Sequence, residues 1–337
     1  MKKRLHFIAI GGAAMHNLAI ALKDNGYVIS GSDDEIMEPS RSRLLSAGIL
    51  PEHEGWFPEK IVEELDGVIL GMHARSDNPE LVRAQEAGIP VYSFPEFLYE
   101  HSKNKKRVIV GGSHGKTTIT SMIIHVLKHF NLDFDYMVGA KVDGFDTMVR
   151  LSDAPLIILE GDEYLSSPVD RRPKFHLYKA EIGLISGIAW DHVNVFPTFE
   201  NYLEQFRVFA DGIPSEGTLV YCAKDVEVLK IAEHSSTRAK KIPYNIPKYK
   251  ITNGITSLIT ANGNYPLSVF GEHNLQNLEG ARIVCNLLGV DDEFFYKFIG
   301  SFKGAARRLE LLAKNDLPVY VTLKNIAVAK KLPTFKV

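Results

Sequence analysis

Short apolar runs alternate along the chain with stretches in which apolar residues recur at helical spacing. Residues 5–10 form the first run, and Met15, Leu18, Ala19 and Leu22 follow with helical periodicity, predicting a strand that turns into a helix. The alternation continues through Tyr27-Val28-Ile29-Ser30, a helical stretch over 40–47, Val68-Ile69-Leu70, a helical stretch over 79–87 and Ile89-Pro90-Val91-Tyr92. Such order predicts an α/β fold, a parallel sheet with helices on its faces. Lys103-Asn104-Lys105-Lys106-Arg107 then reads as a solvated joint between domains rather than a binding patch. Beyond it, strands are predicted at 107–110, 156–159, 182–186 and 218–221, with helices between several of them. Alternating segments around Asn262-Gly263 predict hairpins appended to the sheet, and helices at 274–288 and 292–298 close the unit.

Length and composition narrow the class. At ~150 residues per domain, 337 residues predict about two domains with room for a fragment; the pattern ends the second unit near Phe302, and the expected spans, with the resemblance given below, are 1–105, 106–312 and 313–337. A net charge of 39 − 41 = −2 gives no basic excess for a nucleic acid partner. Only Cys222 and Cys285 are present, far apart, which excludes a disulfide scaffold or a cysteine zinc site and fits a reducing cytoplasm. Lys2-Lys3-Arg4 before an apolar stretch imitates a secretory leader. His6, His16, Asn17 and Gly11-Gly12 interrupt that stretch, and no run approaches the ~18 apolar residues of a membrane span, so a cytoplasmic protein is expected, with no membrane partner.

Two glycine-containing turns carry candidate chemistry. Gly11-Gly12 joins a strand to a helix, where backbone amides and the helix terminus suit a phosphate. A dinucleotide fingerprint would need glycines where Ala13 and His16 stand, so an NAD enzyme is not indicated. Asp33, at the end of the next strand, has the position from which an acid takes ribose or base groups. A tight turn with a helix cap explains these residues equally well.

The second turn is more specific. Val108-Ile109-Val110-Gly111-Gly112-Ser113-His114-Gly115-Lys116-Thr117-Thr118 runs from a buried strand through a glycine-rich bend into a helix. Glycines let amides converge on phosphate oxygens, Lys116 can neutralise β/γ charge, and Thr117 offers a hydroxyl to Mg²⁺. Val110 stands where the generic loop has glycine. Leu156-Ile157-Ile158-Leu159 ends in Glu160-Gly161-Asp162-Glu163, an acidic strand end suited to magnesium. His192, in Ala189-Trp190-Asp191-His192, reads on spacing alone as a capping or core histidine, because one imidazole is a poor magnesium site.

Together these segments resemble the Mur ligases, ATP-dependent enzymes of peptidoglycan precursor synthesis and recycling, over nearly the whole chain. Gly112-Ser113-His114-Gly115-Lys116-Thr117-Thr118 resembles that family's own phosphate loop, Glu160-Gly161-Asp162-Glu163 its acidic strand end and Asp191-His192 its second metal motif. The resemblance implies a Rossmann-like UDP-sugar domain followed by a P-loop ATPase domain, with ATP and Mg²⁺ as cofactors. It makes Thr117, Glu160 and His192 the magnesium ligands, and gives catalytic roles to Lys116, His114, Glu160 and His192. His114 would touch a carboxylate or the developing phosphate, or simply pack on the turn. Gly271-Glu272-His273-Asn274-Leu275-Gln276-Asn277 is similar to the family's GxHNxxN motif, which assigns His273, Asn274 and Asn277 to the nucleotide base; otherwise these are helix caps. Arg307-Arg308-Leu309-Glu310 resembles the arginine segment, with Arg308 on ATP. Gly11, Gly12, Ala13, Met15, Ser32, Asp33 and Asn78 correspond to the part that binds UDP-N-acetylmuramate, although Ala14 and His16 replace usual glycines.

Within the family, Asp162-Glu163-Tyr164, Asp170-Arg171-Arg172-Pro173-Lys174-Phe175 and Arg307-Arg308-Leu309-Glu310 look most like the recycling branch. That branch joins L-alanyl-γ-D-glutamyl-meso-diaminopimelate to UDP-N-acetylmuramate; the nearest relative adds L-alanine alone. Mur ligases carry a third domain that reads the amine, and the residues after 312 do not resemble its opening. A truncated or frameshifted ligase, impaired alone, is therefore the expectation. A protein that holds ATP and a UDP-sugar without turnover, and a small-molecule kinase, are the rival readings.

Overall fold

The computed structural model describes residues 2–72, 74–145, 147–304, 310–313 and 319–321. The first sheet is built from β1 (Arg4–Ile8), β2 (Val28–Ser32), β3 (Gly67–Leu70) and β4 (Val91–Ser93), in the order β2-β1-β3-β4. All its pairings are parallel. Helices α1 (Ala13–Asp24), α2 (Ser40–Ser46), α3 (Pro79–Glu86) and α4 (Phe94–Ser102) connect or follow these strands. The pattern left α4 unmarked, yet Ser93 and Glu96 form a complete capping box at its start.

A seven-stranded sheet follows, in the order β11-β10-β9-β5-β8-β6-β7. Its strands are β5 (Lys106–Gly111), β6 (Asp135–Met137), β7 (Val149–Arg150), β8 (Leu156–Glu160), β9 (Ile182–Ile185), β10 (Thr218–Cys222) and β11 (Lys240–Tyr244). Only β7 runs antiparallel to its neighbour. Helices α5 (Lys116–His129), α6 (Lys174–Leu177), α7 (Phe199–Asp211) and α8 (Val226–His234) cross over between strands. Val108, Ile109, Val110, Ile157, Ile158 and Leu159 are fully buried, because a parallel sheet covered on both faces needs continuous apolar strands. Each such side chain contributes roughly 1.5–3 kcal/mol of burial.

The hairpins form a separate three-stranded sheet of β12 (Tyr249–Thr252), β13 (Ile255–Thr260) and β14 (Gly263–Pro266), not an extension of the main one. Thr260 pairs with Gly263, so the predicted second turn is Ala261-Asn262, and Gly263 opens the strand. The tighter signal is Asn253-Gly254, with φ of 51° and 75°, the left-handed pair that a two-residue hairpin prefers. Helices α9 (Glu272–Leu287) and α10 (Asp292–Ile299) pack against α5. A short antiparallel ladder, β15 (Glu310–Ala313) with β16 (Val319–Val321), is the last described element. Most of segment 313–337 lies outside the described residues.

The basic joint is solvated in part: Lys103, Asn104 and Lys106 are exposed, as expected, while Lys105 and Arg107 turn inward. Arg107 is buried and donates to the carbonyl oxygens of Ser102, Lys103 and Lys105, while Lys105 pairs with the buried Asp135 at 2.5 Å. Arg107 thus ties the end of α4 to β5, and Lys105 ties the joint to β6. Helix α1 adds a second tie: Asn25 donates to the carbonyl of Leu151 at 2.6 Å, and Asn17 lies 3.7 Å from the sulfur of Met148.

Candidate active site

Sheet order places both glycine turns at switch points, where neighbouring strands diverge and a crevice opens beyond their carboxyl ends. β1 lies between β2 and β3, and β5 lies between β9 and β8. Register then fixes the acid: Val110 is opposite Glu160, so β8 delivers Glu160 beside the second turn. One cavity of about 560 Å³ is lined by Gly12, Ala13, Ala14 and Met15 from the first turn and by residues 113–117 from the second. Glu160, Asp162, Tyr164, Ser166 and Lys174 complete its polar wall, and Met72, Phe94 and Met137 its apolar wall.

The second turn depends on glycine at two positions. A side chain on Gly112 (φ 133°) would meet Ser186 Oγ at 2.1 Å, and one on Gly115 (φ 82°) would meet Asn277 Oδ1 at 2.6 Å. Ser186 in turn donates to the carbonyls of Gly111 and His114, holding the bend shut around it. α5 then starts at Lys116, and a helix leaves its first N–H groups without helical partners, a favourable place for phosphate. Lys116 Nζ donates to Gly112 O and to Glu163 Oε2, both at 2.6 Å. His114 lines the cavity and also packs on Gly187, where a Cβ would come within 2.5 Å of its ring. Burial pushes the His114 pKa below its ordinary value, outweighing the opposing charge of Asp225, and so favours the neutral ring.

The expected metal set divides into two places. Thr117 Oγ1 donates to Glu160 Oε1 at 2.8 Å, and Glu160 Oε2 accepts the Gly139 N–H at 2.7 Å. His192 instead faces Glu163, with Nε2 3.9 Å from Oε1, and its ring lies 4.8 Å from that of Tyr164. Asp162, Glu163 and His192 are the group of donors, all within 4.8 Å of one another, that could hold an ion among the described residues. Burial opposes ionisation of Asp162, but Lys174 at 2.6 Å, together with Lys116, outweighs it and keeps the carboxyl below its usual range. In sequence, Asp162 and Glu163 are two more acids of one run, with nothing local to mark them as donors. Nor does any local signal mark Tyr202, which donates to Glu163 Oε1 at 2.9 Å from the distant α7.

His273, Asn274 and Asn277 lie on the first turns of α9, beside the phosphate loop but outside the cavity lining. Asn274 bonds the Phe270 carbonyl at 2.8 Å, and Asn277 touches the Gly115 position. Arg308 lies outside the described residues.

The first turn is built differently. Asp33 accepts the Gly11 N–H at 2.7 Å, and burial pushes its carboxyl up to about 6 despite that bond. Ser32 is buried beside it, 3.4 Å from Lys60 Nζ. Asn78 accepts from the N–H groups of Glu80 and Leu81 as the cap of α3, and like Gly11, Ser32 and Asp33 it lies outside the cavity lining. His16 is buried where a fingerprint glycine would sit. Arg43 donates to its Nε2 at 3.1 Å, which leaves Nδ1–H to donate to Gly12 O at 2.9 Å.

Comparison with known proteins gives a consistent picture. Residues 110–285 match the Mur ligase middle domain, and residues 4–106 match the Mur ligase family catalytic domain. The chain is 32% identical over 326 residues to UDP-N-acetylmuramate–L-alanine ligase of Alkaliphilus metalliredigens, covering 93% of this chain and 68% of that protein. Against the Aquifex aeolicus protein of the same name it is 31% identical, covering 94% and 70%. In fold it is similar to the UDP-N-acetylmuramate:L-alanyl-γ-D-glutamyl-meso-diaminopimelate ligase of Neisseria meningitides. That similarity has a TM-score of 0.81 at 24% identity, covering 91% of this chain and all of the other. The UDP-N-acetylmuramate-alanine ligase of Thermotoga maritima gives 0.69 at 22%, covering 93% and 71%. No described helix is long and apolar enough to cross a membrane.

Proposed function

The chain belongs to the Mur ligase family of ATP-dependent ligases, and from that premise we propose that it joins the carboxylate of UDP-N-acetylmuramate to an amine in the cytoplasm. One observation carries this reading: both glycine turns wall the same cavity. A nucleotide sugar held at Gly11, Gly12, Ala13, Met15, Ser32 and Asp33 would meet a triphosphate held at residues 112–118 across that space. The carboxylate oxygen attacks the γ-phosphorus, ADP leaves, and the amine nitrogen then displaces phosphate from the acyl carbon.

Two anions must approach, so the residues that carry the reaction are those that supply positive field and fixed geometry. Lys116 and the start of α5 do the first, and the Gly112–Gly115 bend does the second. Neutral His114 positions a reacting oxygen by hydrogen bonding rather than by charge. His273, Asn274, Asn277 and Arg308 are assigned to the nucleotide, supported for Asn277 by its contact with the loop. Thr117 and Glu160 supply the hard oxygen donors that magnesium prefers, and His192 with Glu163 and Asp162 supplies a second group. Magnesium bound there would neutralise phosphate charge.

For the amine, the residues between Asp162 and Phe175 favour L-alanyl-γ-D-glutamyl-meso-diaminopimelate. L-Alanine is the second reading, favoured by the names of the relatives. ADP release measured with UDP-N-acetylmuramate while each amine is varied tests both. Release that needs the sugar nucleotide and the tripeptide supports the first reading, and release with L-alanine alone moves the assignment to the second. Binding of both nucleotides without ADP points to a carrier, and a stable phosphorylated product points to a kinase.

A further inference from the structure

Glu163 has no role in the reading above beyond membership of a donor group, yet it is a fully buried carboxylate between two residues of the cavity wall, Asp162 and Tyr164. Its side chain is 1% exposed, and both oxygens are engaged, Oε2 by Lys116 at 2.6 Å and Oε1 by the Tyr202 hydroxyl at 2.9 Å. Tyr202 is itself buried, and its hydroxyl lies 2.8 Å from Ser113 Oγ, which accepts the Ala189 N–H at 2.9 Å. One chain of bonds thus connects the loop lysine, the loop serine and the segment after β9. Lys116 also donates to Gly112 O, so two of its three N–H groups are spent inside the protein. The ammonium is folded back on its own loop.

A buried carboxylate persists only where a cation or strong donors balance it. Lys116 does so at hydrogen-bond distance, whereas His192 stands at 3.9 Å. We propose that Glu163 is a positioning residue for Lys116, a latch that parks the ammonium in the absence of nucleotide and must release it when phosphate enters. The proposal rests on the phosphate-loop reading. It makes the Lys116–Glu163 pair a competitor of the nucleotide, and Tyr202 the group that holds the latch in place. Burial, and then the charge of Glu163, raise the Tyr202 pKa, so its hydroxyl remains a donor to that carboxylate across the working pH range.

Binding of a fluorescent ATP analogue to the full chain, in EDTA and in Mg²⁺, tests the latch. Glu163→Gln keeps an acceptor for Tyr202 and removes the competing charge. Metal-free affinity should rise about tenfold, with a smaller rise for Tyr202→Phe. In a Lys116→Ala background Glu163→Gln should give no gain. Unchanged or weaker metal-free affinity for Glu163→Gln overturns the proposal, and weakening confined to Mg²⁺ assigns Glu163 to the metal instead. If Glu163→Gln does not fold by its melting curve, Tyr202→Phe decides by the same sign. Lys116→Ala binding as tightly as the unsubstituted chain would instead sink the phosphate-loop reading itself.

Discussion

The two glycine turns occupy equivalent topological positions and are charged in opposite senses. At the first, the buried acid Asp33 holds the Gly11 amide, and His16, neutral, ties the carbonyl of Gly12 to Arg43. At the second, Lys116 donates to the carbonyl of Gly112 in the mouth of the bend, with Glu163 bonded to it directly and Glu160 at one remove, on Thr117. A strand-turn-helix at a switch point therefore does not define its ligand. The side chains placed there do: an acid selects hydroxyl and imide donors, whereas a cation at a helix start selects phosphate.

The comparison breaks most sharply at Lys116. Replacing it with alanine should weaken ATP-analogue binding about 100-fold, by loss of charged hydrogen bonds, and leave UDP-N-acetylmuramate binding within about twofold. Parallel titrations of the two ligands check this, and equal loss of both would mean that the turns are not separate subsites. Gly112→Ala comes next. Its Cβ would collide with Ser186 Oγ, so nucleotide affinity should fall roughly tenfold or more, with a lower melting temperature. Gly12, whose nearest neighbour would be 3.4 Å from an added Cβ, should tolerate alanine with little change in stability.

The smallest effect sharpens the electrostatic half of the contrast. The folded pKa of Asp33 is pushed up to about 6, above the ordinary 3.8, so the folded chain binds the extra proton between those values. Its ionisation therefore costs stability as pH rises through that window, and the cost is relieved below it. Asp33→Asn should remove that component: relative to the variant, the unsubstituted chain should gain stability from pH 7 to pH 4. Denaturant melts at the two pH values measure the difference, and parallel curves would show that burial leaves Asp33 unperturbed.

Much of this was legible before any coordinates. The buried strands before and beside the phosphate loop announce themselves as continuous apolar runs, and Gly112 to Thr118 name their own chemistry. What stayed hidden depends on distant partners. Asn78 reads as a substrate residue in sequence, and what the sequence does not display is that it also caps α3, accepting two N–H groups just after it on a helix start. Glu160 and Glu163 are indistinguishable as neighbours in an acidic run; only register puts one by Thr117 and the other by Lys116. Tyr202 arrives from a different crossover helix. The basic stretch 103–107 follows its charge at Lys103 and Lys106, which face solvent, whereas Asp135 and three carbonyl oxygens draw Lys105 and Arg107 inward.

Helix α1 gives the cavity its scale. Its amino end forms one wall, and its far cap, Asn25, is fastened to Leu151 of the neighbouring unit. A rod of 12 residues spans ~18 Å and does not shorten. Pinned at its far end, the rod cannot slide along its axis without breaking the Asn25–Leu151 bond, so the first wall of the cavity is carried as one stiff piece rather than adjusted side chain by side chain.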